Sequence, residues 1–216
     1  MAAAHPGPVA LVHGSSAGWA AEAAERFRKQ GRAVHAVLSE GEPTLDRLEA
    51  ALARLRPDRP VLVVAIGGGA AIDLGKALAA LLPAPGAPLD YLEIVGKGEK
   101  LDRAPFPFIA IPTTAGTGAE ATKNAVIGVP AEGRKVSLRD PRMTPVAALM
   151  DAELTDNAPW SVTFASGMDA VTQLIEPYVS ARATPQTDAL CRAAIGPALR
   201  ALVTLSQRED PAQREV

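Results

Sequence analysis

The 216-residue sequence predicts an α/β fold, a parallel sheet with its own helices followed by helices alone. Three observations carry that prediction. Short apolar runs alternate with stretches of helical spacing as far as Met150. One run, Val61 to Ile66, breaks into Gly67-Gly68-Gly69, and a helical pattern carrying Asp73 and Lys76 follows at once. Beyond Trp160 the pattern is helical throughout.

Taken in order, Val9 to Val12 reads as a strand ending in His13-Gly14-Ser15-Ser16. Trp19 to Gln30 reads as a helix closed by Gly31, and Ala33 to Leu38 as the second strand. Thr44 to Leu55 is a helix, with Thr44 at the capping position and Leu45, Leu48, Leu52 and Leu55 at helical spacing. After the glycine turn, a helix runs to about Leu82-Pro83. A Pro/Gly-rich loop from Pro83 to Pro88 and a mixed segment then lead to the strand Phe106 to Ile111. Val146 to Met150 is the last strand expected, ending at Asp151.

Composition narrows the class. At 48% hydrophobic and 21% charged, the chain can build a core. A net charge of −2 gives no electrostatic case for nucleic acid or an anionic membrane. The one cysteine, Cys191, excludes an internal disulfide framework and fits a reducing compartment. The segment Met1 to Pro6 lacks the basic and apolar regions of a signal peptide, and Pro or Gly interrupts every stretch that could span a bilayer. A cytoplasmic protein is expected.

Strand, glycine turn, helix is the arrangement that turns unpaired backbone N–H groups toward an anion. Residues without side chains let a phosphate reach the backbone, and the helix dipole favours its charge. A nucleotide is the ligand this predicts. A second cluster, Pro112-Thr113-Thr114-Ala115-Gly116-Thr117-Gly118-Ala119-Glu120, follows the next strand. Small residues interleaved with hydroxyls at a carboxyl strand end suit phosphate or ribose oxygens; a loop that merely caps a helix is the plainer reading. Two such loops in one sheet favour a site. Third, Asp169 and Gln173 stand at i and i+4 on one helix face. They could share a cation or a substrate hydroxyl, or be a helix-start acid and a solvated amide.

Together the motifs Ala65-Ile66-Gly67-Gly68-Gly69-Ala70-Ala71-Ile72-Asp73-Leu74-Gly75-Lys76, Ile111 to Glu120 and Gly167-Met168-Asp169-Ala170 resemble the iron-containing (group III) alcohol dehydrogenases in order and separation. The resemblance implies a Rossmann-like NAD(P)-binding domain, here 1–155, and the first helices of an all-helical domain, here 156–216, with NAD or NADP in the cleft between them. It implies hydride transfer between a nicotinamide and a small alcohol or aldehyde, with a divalent metal, iron or zinc, at the substrate oxygen. By position, Gly68, Gly69 and Ala70 would hold the pyrophosphate, with Asp73 bracing the turn; Gly14 and Ser15 belong to the cofactor edge. Thr113, Thr114 and Thr117 would meet phosphate and ribose, Asn124 and Val126 the nicotinamide side, and Lys135 a ribose hydroxyl. Without the resemblance, Asn124, Val126 and Lys135 would be parts of an ordinary β-hairpin.

The sequence also departs from the family pattern. Ala70 stands where a serine is usual, removing a hydroxyl but leaving the backbone cradle. Asp169 would be the first metal ligand, and Gln173 stands where the first metal-binding histidine is expected. An amide oxygen is a poor ligand for a borderline metal. The three histidines, His5, His13 and His35, all lie in the N-terminal strand region, so one good ligand is supplied where a catalytic metal wants about three. The last residues, from Asp210-Pro211 to Val216, look like a helix start cut short, which predicts truncation within the helical domain. With no carboxylate in His13-Gly14-Ser15-Ser16, NADP is expected to be accepted at least as well as NAD. Two functions are therefore predicted: a dehydrogenase incomplete as this chain, or a nucleotide-binding module without catalysis. Apolar positions along the tail helices predict a homo-oligomer or association through that segment.

Overall fold

The computed structural model describes residues 6–15 and 17–216. His5 and Ser16 lie outside the described residues. The described residues form two compact units: those up to Pro112 with Ala119–Met150, and Thr113–Gly118 with Asp151–Val216.

The first unit is a five-stranded parallel sheet. Its strands are β1 (Val9–His13), β2 (Val34–Leu38), β3 (Leu62–Gly67), β4 (Phe108–Pro112) and β7 (Ala147–Ala148), in the order β2-β1-β3-β4-β7. Register is direct: Val9 pairs with Val34 on one side and with Leu62 on the other. Side chains alternate between the faces. Ala10, Val12, Val63, Ala65, Phe108 and Ala110 point into a core shared with α2 (Leu45–Leu55) and α3 (Gly69–Leu81). Val9, Leu11, Leu62, Val64, Ile66 and Ile109 point into the other core, against Ala20, Ala24 and Phe27 of α1 (Ala17–Lys29). Burial on both faces is why the inner strands β1, β3 and β4 read as unbroken apolar runs. The remaining elements are a short helix α4 (Pro88–Tyr91) and an antiparallel hairpin of β5 (Asn124–Val129) and β6 (Arg134–Arg139).

Local chemistry sets the boundaries. Thr44 caps α2 as expected, its side chain accepting from the Arg47 N–H. β4 begins at Phe108 rather than Phe106, because Pro107 has no N–H and Phe106 donates to the Ala79 carbonyl of α3 instead. β7 is shorter than the expected 146–150. It is an edge strand with one neighbour, and Val146, Leu149 and Met150 are exposed.

The second unit is helical: α5 (Trp160–Val179), α6 (Pro185–Leu205) and α7 (Pro211–Arg214). α6 starts with a reciprocal capping box between Thr184 and Thr187, with Pro185 in the first turn. The helices meet closely where Gly167 faces Leu202; a Cβ there would stand 2.6 Å from Leu202 Cδ1. α7 is fastened by Arg214, which pairs with Glu209 and donates to Thr163 Oγ1 at 3.2 Å. Asp210 occupies the N-cap position without capping, since its carboxylate accepts from Arg208 at 3.2 Å.

Candidate functional site

The carboxyl edge of the parallel sheet carries the first part of the site. β1 and β3 end in glycines that come together, the Gly14 N–H donating to the Ile66 carbonyl at 3.0 Å. A Cβ at Gly67 would stand 2.7 Å from the Ala71 Cβ and 3.0 Å from the Gly14 nitrogen, so no larger residue fits. The chain turns there into α3, whose N-cap, Gly68, is half-buried and offers no side chain. The first-turn N–H groups at Gly69 and Ala70 therefore meet the edge without a side-chain acceptor, the condition an anion satisfies. That cradle fits a dinucleotide pyrophosphate. Gly14 is half-buried and Ser15 exposed at the same edge.

The Asp73 carboxylate reaches the hairpin. One oxygen accepts from the Val126 N–H at 3.1 Å, and the other lies 3.6 Å from Lys76 Nζ. Lys76 is wholly buried, and its ammonium donates to the Ala119 carbonyl at 2.7 Å, Thr122 Oγ1 at 2.7 Å and the Asn124 carbonyl at 2.6 Å. Burial pushes Asp73 above the usual carboxylate range, opposed by the Val126 hydrogen bond and by Lys76. Burial likewise pulls Lys76 below the usual lysine range, opposed by Asp73. α3 is buried nearly all round, so this pair is the polar exception in an apolar helix.

Asn124 and Val126 are half-buried on β5, alternating with Ala125 and Ile127 in the core. Lys135 on β6 is exposed and pairs with Glu42, Nζ to Oε1 at 2.6 Å. Glu42 follows β2 in Ser39-Glu40-Gly41-Glu42, a carboxylate-bearing turn at the same sheet edge that the sequence reading passed over. Its signal was present as two acids just after the second strand.

In the helical unit, Thr113 is buried, Thr114 half-buried and Thr117 exposed. The 113–118 loop lies against α5: any Cβ on Gly116 would collide with the Ser166 carbonyl. Thr113, Thr114 and Gly116, with Ser166 and Gln173, line part of a mainly apolar cavity of about 650 Å³ completed by α6. On α5 the Gln173 amide N–H donates to Asp169 Oδ2 at 3.1 Å and to the Gly116 carbonyl at 2.7 Å. Asp169 thus accepts from a neutral amide. Among the described residues no cluster of three or more His, Cys, Asp or Glu could hold a metal ion. One carboxylate beside an amide donor does not fit a catalytic metal. His13 and His35 belong to the sheet unit.

The family model for iron-containing alcohol dehydrogenase matches residues 2–152. A long-chain-alcohol dehydrogenase of Geobacillus thermodenitrificans is 38% identical over 170 residues, covering 78% of this chain and 42% of that protein. Among solved structures, an iron-containing alcohol dehydrogenase from Thermococcus thioreducens superposes with TM-score 0.86 at 28% identity, covering 98% of this chain and 57% of that one. A sulfoacetaldehyde reductase from Bifidobacterium kashiwanohense, in complex with NAD+, gives TM-score 0.86 at 27% identity, covering 99% and 57%. The chain thus spans about two fifths of the length of that curated relative. With the glycine cradle at the edge of its parallel sheet and a match extending over most of its length, the chain belongs to the iron-containing alcohol dehydrogenase family.

Proposed function

We propose that this chain is the dinucleotide-binding part, with adjoining helices, of an NAD(P)-dependent oxidoreductase that interconverts a small alcohol and its carbonyl compound. One observation carries the reading: Gly67-Gly68-Gly69 turns into the side-chain-free N-terminus of α3 at the carboxyl edge of the sheet. Gly68, Gly69 and Ala70 hold the pyrophosphate through backbone N–H groups, with Gly14 and Ser15 alongside. The family resemblance assigns Thr113, Thr114 and Thr117 to phosphate and ribose, Asn124 and Val126 to the nicotinamide side, and Lys135 to a ribose hydroxyl. When bound, the nicotinamide accepts or delivers the hydride; the residues here bind and orient it. The domain roles follow: 1–155 for the cofactor, and 156–216 as part of a helical domain. NAD-bound sulfoacetaldehyde reductase and long-chain-alcohol dehydrogenase among the relatives support the reaction class.

A second reading, dinucleotide binding without turnover, is favoured by the Gln173 amide that donates into Asp169. Calorimetric titration with NADH, NADPH and zinc ion, followed by turnover with a panel of aldehydes, separates the two. We expect micromolar binding of a reduced nicotinamide cofactor and no submicromolar zinc site. Absence of cofactor binding would defeat both readings, and turnover of any aldehyde would exclude the second. Among the described residues, no helix is long and apolar enough to cross a membrane. Cys191, buried and unpaired, supports a cytoplasmic location. Exposed Phe164, Met168, Ile175 and Leu190 support association through the helical segment.

A further inference from the structure

We propose that Lys76, acting with Asp73, is a positioning residue that sets the backbone of the nicotinamide-facing hairpin strand relative to the phosphate turn. The inference rests on the dinucleotide reading above and adds a role that no sequence motif assigns. Lys76 lies two turns into the helix that opens at the glycine cradle, and none of its surface is exposed. An ammonium has three N–H donors, and three oxygens lie 2.6–2.7 Å from it, the Ala119 carbonyl, Thr122 Oγ1 and the Asn124 carbonyl, with the Thr122 carbonyl farther off at 3.3 Å. The Thr122 hydroxyl passes its own proton to the Ala119 carbonyl at 3.1 Å, closing the network. One turn earlier on α3, Asp73 takes the Val126 N–H. Two side chains of one helix thereby hold the main chain of Asn124 and Val126, the two residues assigned to the nicotinamide side.

Stability alone does not explain a buried lysine there. The rest of α3 buries alanine, leucine and isoleucine, and a buried ion pair commonly adds little over an apolar side chain of similar volume. Direction is what the network adds. Apolar contact is non-directional and would let the 119–126 segment slide along α3, whereas three ammonium bonds and one carboxylate bond fix its register.

The test compares two ligands. ADP-ribose carries the pyrophosphate and both riboses but no nicotinamide; NADH carries all of it. Calorimetry measures both affinities in the unaltered chain and in Lys76→Met, Thr122→Val and Thr122→Ser. We expect Lys76→Met to weaken NADH at least tenfold while ADP-ribose stays within twofold. Thr122→Val, which removes one acceptor, should weaken NADH selectively by a few-fold, and Thr122→Ser should restore the unaltered ratio. If Lys76→Met fails to fold, the Thr122 pair decides the matter. Equal loss of both ligands, or no change in either, in the variants that fold would overturn the inference. An unaltered chain that binds neither ligand would instead remove the dinucleotide reading itself, and the inference with it.

Discussion

The two units treat charge and apolar surface in opposite ways. In the sheet unit both faces of the inner strands β1, β3 and β4 are covered by the unit's own helices and hairpin, and even the interior lysine has each of its three donors accepted. The helical unit buries little. Trp160, Phe164, Met168, Ile175, Val179, Leu190 and Val203 are exposed, and Val171, Cys191, Ala201 and Leu202 are the buried apolar side chains of its long helices. α5 and α6 thus owe their stability to one seam and to local capping, whereas the sheet unit owes its stability to a closed core. Amphipathic packing normally supplies most of a helix's stability, so a thin seam leaves capping a larger share.

Three substitutions can break or sharpen that contrast. The largest effect is expected from Ile72→Ala. Ile72 is fully buried in the core between α3 and the sheet, and truncation there should cost about 2–5 kcal/mol in urea denaturation. A loss below about 1 kcal/mol would mean the sheet unit is no better closed than the helices. Next is Thr184→Ala, which removes the capping-box hydroxyl at the start of α6. It should cost about 1 kcal/mol, visible as faster amide exchange in the first turns of α6, with Thr184→Ser close to the unaltered chain. Unchanged exchange would show that the α5–α6 seam alone holds that end. Smallest is Leu190→Ser. With Leu190 71% exposed, stability should move by no more than about 0.5 kcal/mol. Its effect should appear in sedimentation, as reduced self-association. A large loss of stability would place Leu190 in packing that its exposure does not show.

Much of the architecture was legible in local patterns. The apolar run Val61 to Ile66 predicted a strand, Thr44 predicted its cap, and the triple glycine predicted the turn from strand into helix. Edges were less legible. β7 shrank to Ala147–Ala148 because a run of apolar residues does not say how many neighbours it has, and Pro107 moved the start of β4 through its missing N–H. Among the candidate residues, Asp73 and Val126 were both picked out, but not the hydrogen bond between them. Lys76 stood in the same motif without a role, since nothing near it in sequence shows that its acceptors belong to another segment.

Local sequence determined the order of strands and helices, the glycine turn at the head of α3, the helical run after Trp160 and the placing of Gln173 one turn after Asp169. These are written in period, in turn chemistry and in side-chain type, all of which act over a few residues. Only the tertiary structure decided that Lys76 bonds Ala119, 43 residues away, that Asp73 holds Val126, 53 residues away, and that the Gln173 amide bridges Asp169 to the Gly116 carbonyl. A hydrogen bond forms where folding has removed water and brought a donor to an acceptor. For partners this far apart along the chain, that meeting is fixed by how the helices, sheet and loops pack and by no local pattern.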